Sequence, residues 1–324
     1  MHLRKDSGIV FIIPLLIIAA IGVLILLFSG KLNFKKISLL ESSPSVSPTL
    51  TPEPISSPTL TPTSSPTPKP TVTSTPISKP VPTTPPYTGV LGSGYSKISV
   101  VTEKGTFTVY ALSVDLGGAR VITDTANDGD CGNGCAVLSL SSFVSRNGGY
   151  AGVNGTYFCP ATYPECSSKT NSFDFPVYNT RLGKWINGGN LFWNSRAVVY
   201  FDGGGAHYLQ NASSFGGGLS AGIVNYPGLL DGGNVQIDDG QSGLSDKQKA
   251  KGTKVGIGVK NSSNIIIAIA LNVNMQEFAY VFKALGATGA LNLDTGGSTA
   301  LYYNGRYVMG PGREIPNAII FAPK

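Results

Sequence analysis

The stretch between residues 41 and 90 constrains this chain most, because it cannot fold on itself. It is built of proline, serine and threonine, carries one aromatic residue, Tyr87, and repeats Thr49-Leu-Thr-Pro52 as Thr59-Leu-Thr-Pro62. Such a composition buries no core, and its prolines hold the chain extended, so it reads as a disordered stalk. On its N-terminal side, Gly8–Phe28 is a run of 21 residues without a charge. That is long enough to cross a bilayer as one helix, and Pro14 is tolerable inside it. Arg4 and Lys5 precede the run and Lys31, Lys35 and Lys36 follow it, so flanking charge leaves the orientation open. A membrane helix followed by a stalk suits a domain held off a cell surface. The expected organisation is an anchor (1–40), a linker (41–90) and one domain (91–324), with the domain outside the cytoplasm.

Beyond residue 90 there are 17 Lys and Arg against 15 Asp and Glu. A nucleic-acid footprint needs a clustered basic face. The one basic run, Lys247, Lys249, Lys251 and Lys254, is short and mixed with Asp246, so no nucleic-acid partner is expected. The oligomeric state is not readable from the sequence.

Alternating segments predict strands at Tyr95–Thr102, Thr106–Asp115, Ala119–Thr123, Tyr150–Gly155, Arg196–Phe201, Leu301–Tyr303, Arg306–Met309 and Ala318–Phe321. A hairpin is expected from Lys254–Lys260 and Ile265–Val273. Two helices are expected, over Leu138–Arg146 and over Met275–Leu285, the second capped by Asn274 and stopped by Gly286. Many strands with two helices predict an α+β domain around a mixed β-sheet.

The cysteines are Cys131, Cys135, Cys159 and Cys166. An even count in local pairs, after an anchor and a stalk, favours disulfides. Pairing 131 with 135 and 159 with 166 is preferred among three connectivities. Zinc is disfavoured, because the spacings lack a C-x₂-C knuckle and the domain's only histidine is His207.

The stretch Gly286-Ala-Thr-Gly-Ala-Leu-Asn-Leu-Asp294-Thr-Gly-Gly-Ser298-Thr299 alternates apolar with small residues and ends on a carboxylate, two glycines and two hydroxyls. It reads as a buried strand delivering Asp294 to a tight loop, whose free N–H groups favour an anion. The plainer alternative is a turn that Asp294 merely orders.

Five segments in order resemble one family: Val153-Asn154-Gly-Thr-Tyr157-Phe158, Lys254-Val-Gly-Ile-Gly258, Glu277-Phe-Ala through Leu285-Gly286-Ala, Ala290 through Thr299, and Arg313-Glu-Ile-Pro-Asn317-Ala-Ile. Together they resemble the phosphodiester glycosidases, the bacterial domain related to the animal "uncovering enzyme" that removes N-acetylglucosamine from mannose 6-phosphate diesters. The resemblance covers about residues 95–322. Thr295 stands where the family has a first glycine, and Lys254 where it has an arginine, whose fork a lysine does not reproduce. The inserts around Asp130–Cys135 and Cys159–Asp174 match no family motif.

The resemblance implies a hydrolase releasing a sugar from a sugar-1-phosphate diester on a glycan; with the anchor and stalk, the expectation is a membrane-tethered enzyme at a bacterial cell surface. The resemblance also implies Asp294 as the catalytic carboxylate, Arg313 or Lys254 as the phosphate cation, and Gly296, Gly297, Ser298 and Thr299 as the cradle. Asn154 is expected to bind sugar hydroxyls, Tyr157 and Phe158 to form a platform, and Glu277 and Asn317 to border the site. Asp202 and His207 are weaker candidates outside the matched blocks. No cofactor is expected. A divalent cation held by Asp294 and a phosphate is chemically admissible, but Asp231, Asp238 and Asp239 form no ligand loop. The rival functions are a non-catalytic polysaccharide-binding module and a phosphodiesterase attacking phosphorus.

Overall fold

The structure, a computed structural model, describes residues 86–87, 93–193, 196–240 and 243–324. The expected membrane helix and most of the expected stalk lie outside the described residues. Among the described residues no helix is long and apolar enough to cross a membrane.

Three sheets carry the fold. The first runs in the order Pro86–Tyr87, Gly94–Thr102, Gly105–Asp115, Asn264–Val273, Gly252–Asn261, Gly289–Asn292, Gly228–Asp231 and Asn234–Val235. The second orders Lys184–Ile186, Val177–Asn179, Ala221–Asn225, Ala197–Asp202 and Gly205–Leu209. The third orders Arg306–Met309, Leu301–Tyr303, Ala151–Asn154, Asn317–Pro323 and Ala119–Thr125. Among the described residues the α-helices are Leu140–Arg146, Asp246–Lys249 and Met275–Ala284.

The α+β class holds, but the single mixed sheet expected is three sheets. Their pairings are antiparallel except where Pro86–Tyr87 lies parallel to Gly94–Thr102. Parallel neighbours need long crossover connections, and this chain mostly reverses by short turns. Pro86–Tyr87 belongs to the stretch read as linker and adds to a sheet edge, where a proline costs no ladder bond.

The core explains the apolar runs. In Asn264–Val273, Ile265, Ile267 and Ile269 face a central core shared with Val199 and Ile223 of the second sheet and Val153 and Ile319 of the third. The alternate residues Ile266, Ala268 and Ala270 face Phe278, Val281 and Phe282 of the helix Met275–Ala284. A strand covered on both faces must be apolar on both, so period-two alternation is lost there. The helix is seated by two glycines, because a Cβ on Gly256 or Gly258 would come within 2.8 or 2.7 Å of the Phe282 ring. The helix Leu140–Arg146 covers the outer face of the third sheet, with Phe143 and Val144 packed with Ile122 and Ile320. Both cysteine pairs join sequence neighbours, Cys131 to Cys135 and Cys159 to Cys166, with Cα atoms 5.7 and 5.3 Å apart.

Candidate active site

The three sheets meet at strand ends that share one residue type. Ala151–Asn154, Ala221–Asn225 and Gly289–Asn292 each finish on an asparagine, and Asn154, Asn225 and Asn292 are fully buried. Asn154 Nδ2 donates to Asp294 O at 2.8 Å and its Oδ1 accepts from Ala300 N–H at 3.0 Å. Asn225 Nδ2 donates to Asn292 O at 2.8 Å, and Asn225 Oδ1 accepts from Tyr157 N–H at 3.4 Å. Asn292 Nδ2 donates to the Tyr157 hydroxyl at 2.7 Å. Buried amides are costly unless satisfied; Asn154 and Asn225 spend theirs on loop backbone, whereas Asn292 Oδ1 is buried without a hydrogen-bond partner.

Above them lies a cleft of about 270 Å³. Tyr157, Phe158, Asp294, Thr295 and Ser298 line one part, and Pro160, Tyr163, Ser245, Lys247, Gln248 and Arg313 the rest. Asp294 is 8% exposed. Burial pushes its carboxyl up to about 7, against the Ser298 hydroxyl, the Thr295 N–H and the Arg313 charge, which all pull it down. The Thr295 N–H reaches Asp294 Oδ1 at 2.8 Å, and Asp294 N–H donates to Gly155 O at 2.8 Å. Tyr157 is pushed up to about 12, chiefly by burial, and stays a neutral phenol at the cleft wall.

Two glycines let neighbouring side chains approach closely. A Cβ on Gly297 would lie 2.2 Å from the Arg313 guanidinium, and one on Gly155 would lie 1.9 Å from Asn317 Oδ1. The Arg313 backbone N–H also donates to Gly297 O at 2.9 Å. The loop needs the left-handed region at Gly296 (φ +71°), whereas Thr295 is extended at φ −124°. Thr295 therefore replaces a glycine without strain.

The structure brings Asp294, Tyr157, Phe158, Ser298 and Arg313 to one cleft. Gly296 and Gly297 form the loop beside it. Other expected residues do not line the cleft. Lys254 is nearly buried, and its ammonium donates to Lys247 O at 2.9 Å and Ala250 O at 3.0 Å. It staples the end of the short helix Asp246–Lys249 instead of offering a phosphate cation. Glu277 closes a capping box, accepting from Asn274 N–H at 2.9 Å, and pairs with Lys251 at 2.8 Å. Asn154 is shut away from sugar hydroxyls by the bonds already given. Asn317 bonds Thr156 through both ends of its amide, at 2.8 Å to the backbone and 3.0 Å to the hydroxyl. Thr299 is buried and lies outside the lining. Asp202 and His207 pair with each other at 2.8 Å, away from the cleft. Asp202 lies instead on a larger groove of about 400 Å³ that contains none of the matched segments' polar residues.

Sequence reading missed Asn225, Asn292, Tyr163, Lys247 and Gln248. The asparagines had a signal: Ala-Gly-Val-Asn, Ala-Gly-Ile-Val-Asn and Gly-Ala-Leu-Asn are variants of one strand ending.

The family model for phosphodiester glycosidases matches residues 147–322. The chain belongs to the phosphodiester glycosidase family. No curated relative matches it. Among solved structures, the zebrafish N-acetylglucosamine-1-phosphodiester α-N-acetylglucosaminidase catalytic domain, auto-inhibited by its pro-peptide, is similar with a TM-score of 0.56 at 15% identity, over 73% of this chain and 84% of that one. A hypothetical protein from Synechocystis gives a TM-score of 0.49 at 15% identity, over 71% of this chain and 62% of that chain. The zebrafish likeness shows a shared fold. In this phosphodiester glycosidase Asp294 lines the cleft, and Lys247, which no block of the sequence resemblance contains, stands at the cleft wall.

Proposed function

We propose that this phosphodiester glycosidase hydrolyses a sugar-1-phosphate diester on a glycan, between the anomeric carbon and the phosphate oxygen. One observation carries the reading: a buried carboxyl whose pKa lies near 7 shares a cleft with two cations, Arg313 and Lys247. A general base works best when its pKa lies near the operating pH. In the proposed step, water attacks the anomeric carbon and gives its proton to the Asp294 carboxylate. The anomeric C–O bond breaks, and its electron pair leaves on the phosphate. The products are free sugar and a phosphomonoester. The leaving group has a second pKa of about 6, so it needs a cation more than an acid. The neutral Tyr157 phenol and the Phe158 ring supply the sugar's wall.

The proposed setting is extracytoplasmic and membrane-tethered. The Gly8–Phe28 run, the stalk composition and two disulfides support it. The test is turnover of N-acetylglucosamine-1-phospho-methylmannoside by the full chain, with Asp294→Asn alongside and products identified by mass spectrometry. Free N-acetylglucosamine from the wild type alone is expected. Sugar phosphate plus methyl mannoside would instead assign attack at phosphorus. Binding without any product, across a panel of sugars, would make the protein a glycan-binding module.

A further inference from the structure

The segment after Cys159 lies between the blocks that carry the sequence resemblance, and its first part walls the cleft. A disulfide closes it from Cys159 to Cys166. Inside that ring the backbone is tied, with Tyr163 N–H donating to Pro160 O at 3.0 Å and Cys166 N–H to Tyr163 O at 2.9 Å. The Tyr163 ring carries two cations. Lys247 Nζ lies 4.7 Å from its centroid and the Arg313 guanidinium carbon 5.1 Å. Thr162, from the same ring of chain, accepts from an Arg313 guanidinium N–H at 3.5 Å. Among the described residues neither cation forms an ion pair with a carboxylate.

Two long cationic side chains held near each other repel, and each loses rotamer freedom when fixed. An aromatic face offsets both costs, because its quadrupole attracts either cation. The arrangement is preorganised for an anion that neutralises both, which then binds with less ordering cost. We propose that the disulfide-closed loop Cys159–Cys166 is the phosphate-binding element of the cleft, with Tyr163 positioning Lys247 and Arg313 for one phosphate diester. The diester as ligand rests on the hydrolase reading above. The disulfide thereby sets phosphate affinity and, through the same two cations, the stabilisation of the departing phosphate.

The test uses the full chain with two readouts: turnover of N-acetylglucosamine-1-phospho-methylmannoside, and calorimetric binding of inorganic phosphate. Tyr163→Ala is expected to raise the phosphate Kd about tenfold and to lower kcat/KM by at least as much, because the same cations hold the departing phosphate. Tyr163→Phe keeps the aromatic face and is expected to match the wild type. The Cys159→Ser/Cys166→Ser variant is expected to shift Kd as Tyr163→Ala does, and Lys247→Met gives the same direction of loss without altering the loop. The proposal falls if phosphate does not bind the wild type, if Tyr163→Ala leaves Kd unchanged, or if Tyr163→Phe loses as much as Tyr163→Ala. Tyr163-dependent phosphate binding without turnover would uphold this site and sink the glycosidase. Turnover with Tyr163-independent binding would do the reverse.

Discussion

At Asp294 stability and use pull in opposite directions. Its carboxyl is pushed to about 7 in the folded chain, from an ordinary 3.8. Between those values the folded chain holds a proton that the unfolded chain releases. Stability therefore falls as pH rises from about 4 to about 7 and stays reduced above that. Asp294→Asn keeps the acceptor and removes the charge. We expect it to abolish turnover and yet melt higher than the wild type at pH 8, by a few kcal/mol at most, with the gain gone by about pH 4. Paired thermal scans at the two pH values check this, and equal gains at both would refute it. For the wild type, kcat/KM should climb with pH to half its plateau near about 7, because the base form does the work. Asp294, Arg313 and Tyr157 were legible because their neighbours form ordered blocks. Lys254, expected as a phosphate cation, ends on backbone carbonyls, and Lys247, for which the sequence suggested no role, lines the cleft. Sequence shows which residues are lysines, but not that one ammonium ends on two backbone carbonyls.

The elements show why some of the fold was legible and some was not. The hairpin Gly252–Asn261 with Asn264–Val273, and the helix behind it, are long, apolar and capped, so their local preferences agree with their packing. Val177–Asn179, Lys184–Ile186 and Gly228–Asp231 are three or four residues long. Such strands exist because a neighbouring strand supplies the ladder, and nothing local marks them. The short helix Asp246–Lys249 has a capping box at its start and Lys254 at its end. Lys254→Met should leave two carbonyls without a donor and cost about 1–3 kcal/mol in urea unfolding. It should also raise KM more than it lowers kcat, because the segment it anchors carries Lys247 and Gln248 to the cleft. A variant with unchanged KM would show that the segment holds itself.

Over the whole molecule, the central core joins all three sheets, and the cleft stands where their asparagines meet. A mutation in the second sheet should therefore reach chemistry performed on the first. Asn225→Ala lies on a strand of the second sheet and does not line the cleft. It removes the bonds to Asn292 O and from Tyr157 N–H. We expect a loss of about 1–3 kcal/mol in stability and a clear fall in kcat/KM, read by unfolding and turnover on the same preparation. Unchanged turnover would show that the second sheet is only a lid on the core. The junction of asparagines also has a consequence for motion. Asn154 of the third sheet clamps both ends of the loop from Asp294 to Ala300, and Asn225 of the second ties the Tyr157 backbone to the end of the first sheet's strand. We expect local opening there to be a single cooperative event, with the backbone N–H groups of Tyr157, Asp294 and Ala300 exchanging with deuterium together, at one rate.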